Sequence, residues 1–195
     1  ALAAWVFVLL GRLFVARLDY PLDLEWMEGG VLTHALRLLQ GDPLYSLPSV
    51  FFVSFLYTPL YPATLALQSF VFPLGYGLGR LVSLLAFTSA LAVLGLMVHE
   101  EARYLPRRNR WPALLAALMG AAAVAASFVF TGSFYDLVRA DSMLLALQAL
   151  ALWLVWRGHT WKSAAWAGVV IALAFFSKQT ASIVGVGLGL GLLLV

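Results

Sequence analysis

The sequence predicts an all-α fold, a bundle of transmembrane helices, and three features carry that prediction. Hydrophobic residues make up 63% of its 195 positions, and mean hydropathy is +0.94, well beyond a soluble domain. The apolar residues fall in long uncharged runs, several near the roughly 20 residues that a helix needs to cross a bilayer. Those runs lack the period-two alternation of a barrel, so they are helices, which satisfy their own backbone hydrogen bonds in lipid.

The first predicted span covers residues 1–18, with Arg12 and Arg17 able to snorkel from its far end. An acidic stretch, YPLDLEWMEGG, follows. Residues 31–40 then place Thr33, His34, Arg37 and Gln40 on one stripe and Val31, Leu32, Ala35, Leu36 and Leu39 on the other. That is the pattern of an amphipathic helix on a membrane surface, ended by Gly41. The GDPLY turn and Pro48, Pro59 and Pro62 keep the next part irregular. Residues 59–72 are apolar but only about 21 Å long as a helix, short of the roughly 30 Å hydrocarbon core, and so read as a second interfacial or re-entrant helix.

Residues 75–79 read as a glycine turn and 80–98 as a span. A basic connection over 99–110 carries Arg103, Arg107, Arg108 and Arg110, and 111–130 spans again. A polar link, 131–141, leads into a helix over 142–156. The RGHTWK connection, a span over 163–177, a polar break at 178–180 and the start of a further span complete the order. The positive-inside rule puts the basic 103–110 loop in the cytoplasm and, by alternation, the acidic first loop, the 135–141 link and Lys178 on the opposite face. The start at Ala1 and the stop at Val195 within an apolar run read as the N-terminal portion of a longer protein, one domain over 1–195. No repeat or linker divides it.

Composition excludes several functions. The net charge is +3, but the basic residues are scattered and form no stripe with interleaved aromatics, which argues against nucleic acid. The chain has no cysteine, hence no disulfide and no thiolate chemistry. His34 and His99 stand alone, without zinc-ligand spacing, and no metal site is assigned.

Chemistry concentrates on the extracytoplasmic face. Asp23, Glu25 and Glu28 are the candidate catalytic acids. If the helix began at Leu24, Glu25 and Glu28 would share a face at i and i+3, repel, and titrate high unless a cation lay between them. Arg139 and Asp141 at a helix start, with Lys178 and Gln179 at the later break, are candidate substrate-binding residues. The aromatic residues read mainly as interfacial belt and packing, but Tyr57 and Tyr61, flanking the Pro59 turn, could serve as a platform for a sugar, with Tyr57 the candidate substrate-binding residue. Carboxylates suit removal of a proton from an acceptor hydroxyl or coordination of a divalent cation, while Arg and Lys suit the phosphate of a lipid-linked donor. A transporter with a charged substrate path is the alternative, and a non-catalytic membrane subunit a further one.

The order of these segments resembles a known family. An acidic loop reading D-x-E-x-x-E-G, an amphipathic helix ending G-x-P-L-Y, then Y-T-P-L-Y-P, G-R-L-V-S, R-A-D-S-M-L and S-K-Q-T together resemble the N-terminal half of the GT-C membrane glycosyltransferases. That group contains the protein O-mannosyltransferases and the aminoarabinose transferases. The resemblance implies a polytopic bundle with an extracytoplasmic first loop in a bacterial cytoplasmic (inner) membrane. It also implies inverting transfer from a polyprenyl-phosphate sugar donor to a lipid, glycan or protein acceptor on the extracytoplasmic side. Residue by residue it implies Glu28 as base, with Glu25 and Asp23 supporting, and Arg139, Asp141 and Lys178 at the donor. The sequence departs from the family in having Met27, not an acid, before Glu28.

Overall fold

The computed structural model describes residues 2–158 and 160–193. It is 72% helix, and no strand occurs among the described residues. The helices are α1 (Leu2–Leu18), α2 (Glu28–Gln40), α3 (Leu60–Gln68), α4 (Tyr76–Tyr104), α5 (Arg107–Ala126), α6 (Asp141–Gly158), α7 (Trp161–Ser177) and α8 (Ala181–Leu193), with one 3-10 turn at Ser127–Val129. Two stretches, Tyr76–Tyr104 and Arg110–Val129, are long and apolar enough to cross a membrane; Trp161–Ser177 and Ala181–Gly191 are apolar but shorter.

Helix α6 lies between α7 and α4, α5 packs on α4 and α1, and α2 packs on α3. At one end, α2, α3, α4 and the 138–140 backbone enclose a core of Val31, Ala35, Tyr61, Leu65, Val82 and Val138. Behind it Phe14, Phe87, Phe128 and Tyr135 form an aromatic cluster, with Tyr135 stacked on Phe87 at 4.1 Å. Small residues let α6 and α7 approach closely around Ala151 and Ala167.

Local chemistry explains the helix ends. Gly41 takes φ +76°, the left-handed cap that a side chain would resist, and the Asp42 N–H turns back to the Arg37 carbonyl. Thr160 and Ser163 form a reciprocal capping box at the start of α7.

Several boundaries differ from the sequence reading. Residues 75–79 are no turn: α4 begins at Tyr76 and runs on through the polar HEEARY segment. Gly79 is there for space, since a Cβ on it would lie 2.5 Å from a Val138 methyl. Helix α2 starts at Glu28, so Glu25 lies in the preceding turn and the two acids do not share a helical face. Nor is the α2 stripe simply polar outside: His34 is buried with Val31 and Ala35, while Leu36 and Leu39 are exposed. Arg17 does not snorkel. It turns inward to Asp136, with Nε 3.2 Å from Oδ2. Helix α3 is even shorter than expected, ending at Gln68. The side chains of Arg107 and Arg108 in the basic connection lie outside the described residues.

Candidate functional site

Glu28 and Arg80 set the frame of the site. The Glu28 carboxylate is fully buried and accepts four hydrogen bonds. Arg80 donates from Nε to Oε1 at 3.0 Å and from Nη2 to Oε2 at 2.8 Å, Leu24 N–H reaches Oε2 at 2.7 Å, and Val138 N–H reaches Oε1 at 2.9 Å. Arg80, 1% exposed, also donates to the carbonyls of Arg17, Tyr20 and Leu22 at 2.9, 2.5 and 2.8 Å. This one ion pair ties the end of α1, the acidic loop, α2, α4 and the 135–140 link together. Burial opposes the charge on Glu28, but the Arg80 guanidinium and the Val138 and Leu24 N–H groups outweigh it. The carboxyl therefore sits below the usual carboxylate range. This corrects the expectation that Glu28 is pushed up by a neighbouring acid on its own helical face. With every lone pair engaged and no path to solvent, the geometry gives Glu28 a structural role in place of the expected base.

The other predicted residues do converge. A zigzag of alternating charge runs Glu25, Arg139, Asp141, Lys178. Arg139 Nη1 lies 3.0 Å from Glu25 Oε2, its Nε donates to Asp141 Oδ2 at 3.0 Å, and Lys178 Nζ donates to Asp141 Oδ1 at 2.6 Å. Tyr57 closes over this row: its hydroxyl accepts from Arg139 Nη2 at 3.3 Å, and the Lys178 ammonium lies 5.2 Å from its ring centroid. Arg139 is buried, stacked 4.0 Å from the Phe134 ring centroid and 3.1 Å from the Met27 sulfur. Asp141 is the first residue of α6, where a carboxylate complements the helix dipole. Lys178 follows the last turn of α7, so the row bridges two helix ends and the first loop.

The row is neutral as a whole, but its members are not equally committed. Arg139 has donors on four groups. Lys178 has three N–H donors and places one on Asp141, leaving it the cation best able to take an incoming anion. Glu25 Oε2 holds Arg139 and the Met27 N–H, while Oε1 accepts no hydrogen bond among the described residues. Asp23, exposed, caps α2 by accepting the Gly29 N–H at 2.8 Å. Gln179 turns away from the row, and its side-chain N–H donates to the Leu56 carbonyl. It pins the loop that carries Tyr57, and does not face the charges.

Two clefts adjoin the row. One is small, about 20 Å³, and is lined by His34, Phe55, Tyr57, Thr58, Tyr61 and Ala140. His34 is fixed there, with Nδ1 2.7 Å from the Gly30 carbonyl and Nε2 accepting the Phe55 N–H at 3.1 Å. The second, about 310 Å³ and largely apolar, runs between the end of α5 and α6. Val124, Phe134, Leu144 and Leu145 line it, and Asp141 stands in its wall.

Sequence reasoning missed Arg80, Met27 and Phe134. Arg80 had a signal: it is the only charged side chain between Asp42 and His99. Among the described residues no three His, Asp or Glu side chains converge on a point. No family model matches the chain, and comparison with curated proteins and with solved structures finds no match.

Proposed function

We propose that this chain forms the donor-binding end of an integral membrane glycosyltransferase of the GT-C type, which transfers a sugar from a polyprenyl-phosphate donor to an acceptor on the extracytoplasmic side. The observation that supports it most is the Lys178–Asp141–Arg139–Glu25 row at the head of an apolar cleft. A lipid-linked sugar phosphate has that same order of chemistry: an apolar tail, an anionic group and a polar sugar. In this reading the tail lies along the cleft between α5 and α6, and the phosphate takes the free N–H donors of Lys178, with Arg139 behind it. Tyr57 covers the sugar, as an aromatic face does for the apolar side of a pyranose.

Glu25 replaces Glu28 as the general base. Its free Oε1 takes the proton of the acceptor hydroxyl or amine, the acceptor atom bonds to the anomeric carbon, and the bond from that carbon to the phosphate oxygen breaks. The electron pair leaves on polyprenyl phosphate and configuration inverts. Asp23 is the second acid within the same loop.

The test is transfer of labelled sugar from polyprenyl-phosphate hexoses in reconstituted vesicles. Glu25→Gln should lower kcat by roughly 10²–10⁴-fold with donor binding retained. Wild-type turnover in both Glu25→Gln and Asp23→Asn would remove the carboxylate base from the mechanism. Chelator sensitivity in the same assay reads whether a divalent cation takes part.

A further inference from the structure

From Pro43 to Gly79 the chain carries no charged residue, yet much of this segment lies on the outside of the molecule. Its most exposed part is the loop between α2 and α3. Leu47 is 90% exposed, Val50 97% and Phe51 96%. Large apolar side chains at such exposure, with no charge nearby in the sequence, are unfavourable in water and are the composition of a surface that meets lipid.

The loop is built to hold that tip outward. At its neck the Tyr45 hydroxyl donates to the Tyr57 carbonyl at 2.8 Å, and the Ser54 hydroxyl bonds the Ser46 carbonyl at 3.3 Å. Phe52 turns inward, 4.0 Å beneath the Arg37 guanidinium and beside the His34 ring. The Ser49 hydroxyl accepts from the Phe51 and Phe52 N–H groups and closes the turn, while the carbonyls of residues 47–51 have no partner among the described residues and need water or headgroups at the tip. The loop is also continuous with the apolar flank of α7. Thr58 donates to the Phe175 carbonyl at 2.8 Å, Gln179 holds the Leu56 carbonyl, and the neighbouring Phe176 is itself exposed.

We infer that the loop tip, Leu47, Val50 and Phe51, inserts its side chains at the boundary between headgroups and acyl chains of the leaflet that bounds the charged row, as a monotopic anchor separate from the spanning helices. The inference rests on the chain residing in a membrane but is independent of the reaction it performs. Its neck carries Tyr57, so insertion also fixes the residue that covers Lys178 and Arg139.

These 195 residues hold no cysteine, so once any cysteine elsewhere in the full-length protein is replaced by serine a label at a chosen site stands alone. Nitroxide labels are placed singly at Val50→Cys and Phe51→Cys of the full-length protein in phosphatidylethanolamine/phosphatidylglycerol vesicles. Leu85→Cys on the exposed face of α4 serves as the lipid reference and Glu101→Cys as the aqueous one. Collision with oxygen and with a water-soluble nickel chelate is then measured by electron paramagnetic resonance. Labels at 50 and 51 should gain oxygen contact and lose nickel contact, at a depth of about 5–10 Å into the headgroup/acyl boundary. Nickel contact at 50 and 51 with Leu85 in lipid overturns the inference and leaves the membrane reading intact. Exclusion of both probes at 50 and 51 also overturns it, because another part of the protein or a second copy then covers the loop. Nickel contact at Leu85 overturns the membrane reading and the inference together.

Discussion

Replacing Glu28 should cost the fold far more than replacing Glu25, although the two acids are three residues apart. Glu28 is 0% exposed and Arg80 1%, so Glu28→Gln leaves a guanidinium buried without its counter-charge and turns an amide N–H₂ toward one of its donors. Breaking a buried pair by removing one partner costs about 3–5 kcal/mol, and the Val138 and Leu24 N–H groups lose a charged acceptor as well. At roughly 2–4 °C per kcal/mol for a chain of this size, the melting temperature in detergent should fall by about 6–20 °C. Glu25→Gln removes one partner of an Arg139 that keeps Asp141, so its loss should stay near 1 kcal/mol. A cycle adding Arg80→Met isolates the pair: the double variant should be more stable than the sum of the single losses by 2 kcal/mol or more, roughly. Wild-type stability in Glu28→Gln, or strict additivity with Arg80→Met, would refute a structural role for this pair.

Three further outcomes follow from the same geometry. Gly79→Ala drives a methyl against the buried Val138 side chain and should destabilise by about 1–3 kcal/mol, with Val138→Ala restoring part of the loss in thermal melts. Burial pushes the Asp136 carboxyl up to about 6, with the Arg17 guanidinium opposing it and Glu28 and Arg80 acting more weakly. The folded state then holds a proton that the unfolded chain releases at lower pH, so this group's contribution to stability falls as pH rises from its ordinary 3.8 toward 6. Asp136→Asn should flatten the fall in melts taken across that window. Tyr57→Phe removes the hydroxyl that accepts from Arg139 and should weaken donor binding about fivefold, near 1 kcal/mol, in titrations with the polyprenyl-phosphate sugar.

The helical class and most helix positions were legible because apolar runs of this length admit few other solutions. The convergence of Arg139, Asp141, Lys178 and Tyr57 was legible because polar breaks between apolar helices have few places to go except to one another. What was not legible depended on contacts distant in sequence. Glu28 and Glu25 look alike in the chain. They diverge because Arg80, fifty-two positions on, lies under one of them and Arg139 under the other. The glycines at 77 and 79 read as a turn, whereas Gly79 sits inside α4 because Val138 leaves room for nothing larger. His34 fell on a polar stripe by helical spacing and is buried because the Phe55 N–H and the Gly30 carbonyl satisfy both ring nitrogens.

The most direct test of the proposed function is native mass spectrometry of the full-length protein with polyprenyl-phosphate hexoses, wild type beside Lys178→Ala. One bound donor lipid is expected, with affinity at least about tenfold lower once the lysine's charge-assisted contact is gone. Failure of wild type to bind any such lipid, or equal binding by Lys178→Ala, would contradict the proposed function.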